Sequence, residues 1–301
     1  GVVSSPNTIL KNFYKIEPGH VMTYCLVDFK ILSNLPYWNI ESFTDEKPYQ
    51  EEKFYNLFES AVLLRSKADV ETASFLSGGI DSSSIIKKQI DLNLNVNTFS
   101  MSFSNQNYDE SKWFSAVAEK YNTNHKQSTI SALLDLDKVH ESIDIFDEPY
   151  ADSSTIPSYF LAKEISKYYK VAISGDGGDE LLGGYEHIKR VLNSKNNYFL
   201  SSLYNIYPPR LGTGSNFLRF HKNKKISHES FFVDRKFIDQ LNIDYVHGFK
   251  SRYFNKQEIS YKDHMIADYN FYLSEMMMLK IDRTSMANSL EIRSPFVDHR
   301  L

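Results

Sequence analysis

Two short runs of β-forming residues, 72–76 and 170–174, each pass directly into a glycine-rich loop and then into a helix-forming stretch. A strand that feeds a helix through a tight loop is half of a βαβ unit, and repeating that unit leaves few folds open. The repetition is present. After the first loop, Ile85, Ile86 and Ile90 mark the buried face of a helix, 96–103 reads as the next strand and 110–121 as the next helix. A weaker strand at 126–130 precedes helical patterns near 131–146 and 156–169, and 170–174 closes the series. The expected fold is α/β with a parallel sheet, whose ligands bind beyond the carboxyl ends of the strands. Both glycine-rich loops lie at such ends.

The flanks read differently. Phe54, Leu57, Phe58, Ala61, Val62 and Leu64 line one face of an amphipathic helix within 46–67. Residues 1–45 look like a separate, mostly extended piece in which Pro18-Gly19, between two β-rich runs, signals a hairpin. Residues 190–301 read as mainly helical, with a break at Pro208-Pro209. The net charge of −4, from 34 Lys plus Arg against 38 Asp plus Glu, argues against a nucleic-acid-binding surface. The basic cluster His221 to Lys225 is better explained as a solvated loop. Cys25 is the single cysteine, so neither an intrachain disulfide nor a cysteine zinc cluster can form, and a small buried strand residue is expected there. No apolar run approaches the roughly 18 residues a membrane span needs, and no signal peptide opens the chain. A cytosolic location is the expectation.

The first loop runs Phe75-Leu76-Ser77-Gly78-Gly79-Ile80-Asp81-Ser82-Ser83. Two glycines let the backbone approach a ligand closely, and the free N–H groups of the loop and helix start converge on a site suited to an anion. Asp81 stands out, since a carboxylate repels phosphate unless a cation lies between them; Mg²⁺ is the natural bridge. The plain alternative is that Asp81 and Ser82 cap a helix beside a tight turn. The loop is neither a Walker A sequence nor a dinucleotide Gly-x-Gly-x-x-Gly. Ser-Gly-Gly-x-Asp-Ser resembles the signature of the PP-loop ATP pyrophosphatases, and that likeness implies cleavage of ATP between its α and β phosphates.

The second loop, Ser174-Gly175-Asp176-Gly177-Gly178-Asp179-Glu180-Leu-Leu-Gly183-Gly184-Tyr185, carries five glycines and three carboxylates in twelve positions. Such a backbone is entropically costly unless something approaches it closely. Clustered acids raise one another's pKa unless a metal or base is present. Metal binding, proton transfer and recognition of an amine all remain open, as does a solvated acidic turn. The segment is similar to the corresponding one of asparagine synthases. Three further stretches carry the same resemblance: Tyr108-Asp-Glu-Ser111 with Ala116-Val-Ala118; Asp147-Glu-Pro-Tyr-Ala-Asp-Ser-Ser154 with Ile156-Pro157; and Lys280-Ile-Asp-Arg283 through Leu290-Glu-Ile-Arg-Ser-Pro-Phe-Val-Asp-His-Arg300. The resemblance covers roughly residues 46–301, the synthetase domain. The hairpin region with Pro18-Gly19-His20 looks like the tail of the glutaminase domain that precedes it, so residues 1–45 are expected to be that tail and a linker.

The resemblance implies a five-stranded parallel sheet of the PP-loop, adenine-nucleotide α-hydrolase type, with a mainly helical C-terminal part. It implies ATP and Mg²⁺. Ser77, Gly78, Gly79, Asp81, Ser82 and Ser83 would hold the β- and γ-phosphates, and Asp81 and Asp179 the metal. Phe75, Leu76, Met101, Ser174 and Gly175 would line the nucleotide pocket, although strand packing alone would also explain Met101. Lys280 would neutralise charge as the α–β bond breaks. Asp176 would steer the incoming amine and accept its proton, with Glu180 a second candidate; either is alternatively a structural acid bonded to loop N–H groups. Glu148, Asp152, Ser153 and Ser154 are candidates for the acceptor pocket.

The reaction implied has two steps: aspartate, or a related carboxylate, attacks the α-phosphorus to give acyl-AMP and pyrophosphate, then ammonia gives the amide and AMP. The family's glutaminase cysteine stands at the very N-terminus of the mature chain, where this sequence has Gly1. Ammonia is therefore expected free or from a glutaminase domain outside this chain. Relatives continue past Asp298-His-Arg-Leu301, so the chain is expected to be a fragment. Oligomeric state is left open, a homodimer included. Competing readings are the same adenylation on a sugar acid, a peptide or a β-lactam precursor, and a non-catalytic nucleotide-binding module. A tRNA-modifying PP-loop enzyme would call for a basic surface and sulfur-handling cysteines, and neither is present.

Overall fold

The computed structural model describes residues 1–43, 48–103, 109–130, 136–185 and 260–301. Within them lies a five-stranded parallel sheet built from β3 (Thr72–Phe75), β4 (Asn97–Phe103), β5 (Asn124–Ile130), β6 (Val171–Ile173) and β7 (Glu291–Arg293), in the order β5-β4-β3-β6-β7. All four pairings are parallel. Helices cover both faces of the sheet. On one side α5 (Thr155–Ile165) packs through Ala162 and Ile165 on Ala73, Phe99 and Ala172. On the other, α1 (Glu51–Ser66), α2 (Ile80–Asp91) and α3 (Ser111–Tyr121) bury Phe58 and Val62, Ile85 and Ile86, and Phe114 and Ala118 respectively. Neighbouring strand residues serve opposite faces, as the pleat requires: Ala172 belongs to the α5 side and Ile173 to the α1 side. The α/β expectation with a five-stranded parallel sheet holds.

β3 is central. The chain goes from it to β4 and β5 on one side, then returns to β6 and β7 on the other. The strand order reverses between β3 and β6, and the loops that leave those two strands flank this switch point, where open α/β sheets bind ligands. These are the two glycine-rich loops.

Several expectations need correction. The hairpin forms, β1 (His20–Cys25) pairing antiparallel with β2 (Lys30–Pro36), but the chain reverses at residues 26–29 and not at Pro18-Gly19. Phe29 adopts φ +51 in that turn, and the Asp28 N–H bonds Cys25 Sγ at 3.4 Å. Gly19 instead closes the open end of the hairpin: with φ +72 its carbonyl accepts from Tyr37 N–H at 2.8 Å and Trp38 N–H at 3.2 Å. Cys25 is only half-buried, since it ends an edge strand whose faces are largely exposed. Within the stretch read as helical, Glu291–Arg293 is the fifth strand, three residues long and paired to β6 alone. The α5 helix ends at Ile165, four residues before the expected point. α4 (Leu136–Ile143) falls in the expected 131–146, whose first five residues lie outside the described ones, as do Pro208-Pro209 and His221 to Lys225.

The described chain divides into two compact units, residues 1–181 with 273–301, and residues 182–272. α6 is Gly178–Leu182. α7 (Tyr261–Ala267), in the second unit, opens on a capping box between Ser260 and Asp263. A π-helical stretch, Asp268–Met277, leads along the chain into α8 (Met278–Met286). No helix among the described residues is long and apolar enough to cross a membrane.

Candidate active site

The first loop is shaped by its glycines and serines. Gly78 has φ +84 and lies so close to α3 that a Cβ would sit 2.6 Å from Phe114 N. Gly79 is the N-cap of α2, and Ser83 N–H bonds its carbonyl at 3.1 Å. Ser77 Oγ accepts from Gly79 N–H at 3.2 Å and meets Ser82 Oγ at 3.1 Å, so the hydroxyls tie the two ends of the loop together. The N–H groups of Ile80, Asp81 and Ser82, in the first turn of α2, have no acceptor within the helix. The Ser83 hydroxyl is buried without a hydrogen-bond partner among the described residues. A helix start, a positive-φ glycine and the unpartnered Ser83 hydroxyl together make a setting suited to an anion.

The second loop presses against the first. A Cβ on Gly175 would lie 3.0 Å from Ser82 N, and one on Gly178 only 2.5 Å from Asp81 Cγ. Glycine at both positions is what lets the Asp81 carboxylate lie against the start of α6. The outcome is that Asp81 lies within reach of the charges of two acids of the second loop. Asp81 is pushed up to about 6, first by burial, then by the charges of Asp179 and Asp176. Burial raises Asp179 as well. Burial also raises Asp176, reinforced by Asp179 and opposed by the Ser174 hydroxyl and the Lys280 ammonium.

The C-terminal motif braces this loop. Ser174 N–H donates to the Arg293 carbonyl at 3.0 Å, and Ser294 Oγ donates to the Asp176 carbonyl. Gly177, at φ +87, passes Val297 so closely that a Cβ would be 2.8 Å from Cγ1. Residues 291–297 were legible as a motif, but nothing in their chemistry gave this bracing role.

Lys280 reaches the cluster from α8. It is 4% exposed, and its Nζ donates to Ser154 Oγ at 2.7 Å and to Met277 Sδ at 3.4 Å. Ser154 in turn donates, through N–H at 2.7 Å and through its hydroxyl, to Asp152 Oδ1. Burial pushes Asp152 up, but the Ser154 hydroxyl and Lys280 overcome it and hold the carboxyl below its ordinary value. Asp176, Lys280, Ser154 and Asp152 thus adjoin, and Asp176 connects them to Asp179 and Asp81.

Other candidates stand apart. Ser153 is exposed. Glu148 is engaged elsewhere: it accepts Ile9 N–H at 2.9 Å and pairs with Lys15, so it ties the N-terminal segment to this loop. Leu76 turns its side chain into the core with Ile86 and Phe114, and its carbonyl accepts from Ser100 Oγ, which leaves it no side chain to offer a nucleotide. Phe75 packs at the rim of the opposite core, and Met101 is half-buried at the C-terminal half of β4, beyond the last β3 pairing at Phe99. Glu180 is buried within α6. Tyr108 lies outside the described residues.

The described residues hold no group of three or more His, Cys, Asp or Glu arranged for a metal. Asp81 and Asp179 offer two carboxylates. That set fits Mg²⁺ shared with a polyphosphate and does not fit a metal held by protein alone.

A family model described as asparagine synthase matches residues 53–301. The chain is 29% identical to asparagine synthetase [glutamine-hydrolyzing] 1 of Bacillus subtilis, covering 98% of this chain and 50% of that protein. It is 33% identical to putative asparagine synthetase [glutamine-hydrolyzing] 2 of Methanocaldococcus jannaschii, over 62% of this chain and 36% of that one. The chain thus spans about half the length, or less, of these curated relatives. An NMN synthetase of Francisella tularensis aligns at a TM-score of 0.35 and 15% identity, over 78% of this chain and 97% of that one, too weakly to bear on the reading. The matched span covers most of the chain and includes its motifs: this chain belongs to the asparagine synthase family.

Proposed function

We propose that this domain adenylates a carboxylate, aspartate by family membership, and then forms its amide with ammonia. The observation that supports this is the apposition of the two loops: Gly175 and Gly178 let the second loop close on Asp81, whose carboxyl is raised in part by the charges of Asp179 and Asp176. Acids there suit a nucleotide polyphosphate only with a cation between, and Asp81 and Asp179 would hold Mg²⁺, which supplies charge neutralisation on the phosphates. Ser77, Gly78, Gly79, Ser82 and Ser83 bind the β- and γ-phosphates through N–H and hydroxyl groups. The adenosine side lies along the C-terminal ends of β3, β4 and β6, at Phe75, Met101, Ser174 and Gly175.

Lys280 stabilises the charge that develops as the acceptor carboxylate displaces pyrophosphate. Asp176, raised by burial and close to Lys280, is suited to accept the proton that leaves the attacking amine. Residues 1–45 are the tail of a preceding glutaminase-like domain and a linker, and 46–301 the synthetase domain. In support, the β1–β2 hairpin forms its own two-stranded sheet, with Leu26, Val27 and Phe29 each more than 75% exposed. An apolar hairpin of that kind is stable only against a partner.

The roles are separable. Asp81→Ala is expected to abolish Mg²⁺-dependent pyrophosphate release, and Asp176→Ala to spare that release while impairing amide formation. Undiminished turnover in Asp81→Ala would remove the metal assignment.

A further inference from the structure

Lys280 is a buried ammonium with an ordered set of contacts that substrate binding does not explain. It has three protons to donate, and its described acceptors are the Ser154 hydroxyl and the Met277 thioether. An ammonium only donates and a carboxylate only accepts. The hydroxyl between them therefore has one orientation: Lys280 donates to Ser154, and Ser154 donates to Asp152. Asp152 is itself fixed, because its Oδ1 also accepts the Ser154 N–H at 2.7 Å, an Asx turn that locks the loop onto the start of α5.

A second observation sets Ser154 apart. It is the N-cap residue of α5, a position serine favours because its hydroxyl bonds the first-turn N–H groups. Here the side chain makes no capping bond. The α5 start forgoes that stabilisation, and the hydroxyl faces α8 instead.

We infer that Asp152 and Ser154 are positioning residues for Lys280, which they hold across the α5–α8 interface, and not ligands of the acceptor. This rests on the proposed function for the role of Lys280 in adenylation. The geometry of the restraint does not depend on it. A lysine aimed by a hydrogen-bonded chain meets a developing charge without reorganising, whereas a free four-carbon stem has to be ordered at each turnover. Asp152 and Ser154 then influence pyrophosphate release through Lys280 while touching no substrate.

The test uses the full chain with Ser154→Ala, Ser154→Thr and Asp152→Asn. Acetylation of Lys280 by a water-soluble amine reagent, quantified by mass spectrometry, reads the restraint without any turnover. Loss of the charge-assisted hydrogen bond from Lys280 should speed labelling about tenfold in Ser154→Ala, and Asp152→Asn, whose amide oxygen still accepts from the Ser154 hydroxyl, should speed it less. Ser154→Thr, which keeps the hydroxyl, should label like the wild type. In parallel, the kcat for pyrophosphate release should fall about 100-fold in Ser154→Ala. The KM for the carboxylate should stay within about threefold, and Ser154→Thr should restore the rate. Unchanged labelling in Ser154→Ala overturns the inference, as does a raised carboxylate KM with kcat unaltered. Faster labelling in variants of a wild type that never releases pyrophosphate supports the restraint and removes the proposed function.

Discussion

Gly178→Ala isolates the contact between the two loops. Gly178 begins α6 with an ordinary φ, so alanine suits its backbone. The new methyl would stand 2.5 Å from Asp81 Cγ, 2.7 Å from Oδ2 and 2.9 Å from Oδ1. Ordinary contact begins near 3.4 Å, so the carboxyl has to withdraw by the difference, 3.4 − 2.5, or about 0.9 Å. Asp81 is half-buried on a helix start and has one χ1 rotation with which to do so. The fold should lose little: about 0.4–1 kcal/mol gained from the unfolded chain offsets part of an overpacking cost of about 1–3 kcal/mol. A displacement of that size at a metal and phosphate site should cost about 100-fold in kcat/KM. The assay pairs Mg²⁺-dependent pyrophosphate release with urea unfolding. A variant with activity within about threefold of wild type and unaltered stability would refute the claim that Asp81 must lie against the second loop. Gly177→Ala is the contrast: at φ +87 and 2.8 Å from Val297 Cγ1 it strains the backbone, and stability should fall before activity can be compared.

Three further outcomes are expected. Asp81 is raised to about 6 in the folded chain against 3.8 ordinarily, so the folded state binds the extra proton and stability declines as pH rises between those values. Asp81→Asn should therefore be more stable than wild type at pH 8, by about 1 kcal/mol after discounting for solvent screening, and equal to it near pH 4 in denaturant titrations. Asp298 behaves in the opposite sense: Arg300, with help from Arg65, holds its carboxyl well below the usual range despite burial. Its stabilisation is complete above the unfolded value near 4 and is lost as pH falls further, so Asp298→Asn should cost about 2 kcal/mol at pH 7 and less at pH 3. Phe58→Ala removes a ring stacked 5.0 Å from Phe296 in the core between α1 and the C-terminal segment, and should cost about 3–5 kcal/mol in urea unfolding.

What the sequence made legible follows the range of the interactions concerned. Strand–helix alternation is a local pattern, and it placed β3 to β6 and α1 to α5 within a few residues. β7 escaped because three residues give no periodicity, and its strand state comes from pairing with β6, more than a hundred residues away. Pro18-Gly19 misplaced the hairpin turn because the same chemistry serves a strand entrance, and the real turn relies on Asp28 and a positive-φ Phe29. Both loops of the site were visible in their glycines and acids. Their contact was not, since nothing local in Gly178 names Asp81 as its neighbour. Likewise Glu148 and Ser154 read as one acceptor loop, yet one bonds the N-terminal segment and the other bonds Lys280.

The most direct test is pyrophosphate release from ATP and Mg²⁺ with ammonia as nitrogen donor, with L-aspartate present or absent. The account predicts aspartate-dependent pyrophosphate, with AMP and asparagine formed in equal amount. Dependence on a different carboxylate would keep adenylation and replace the acceptor. Tight ATP binding without pyrophosphate for any carboxylate would contradict the account and leave a nucleotide-binding module.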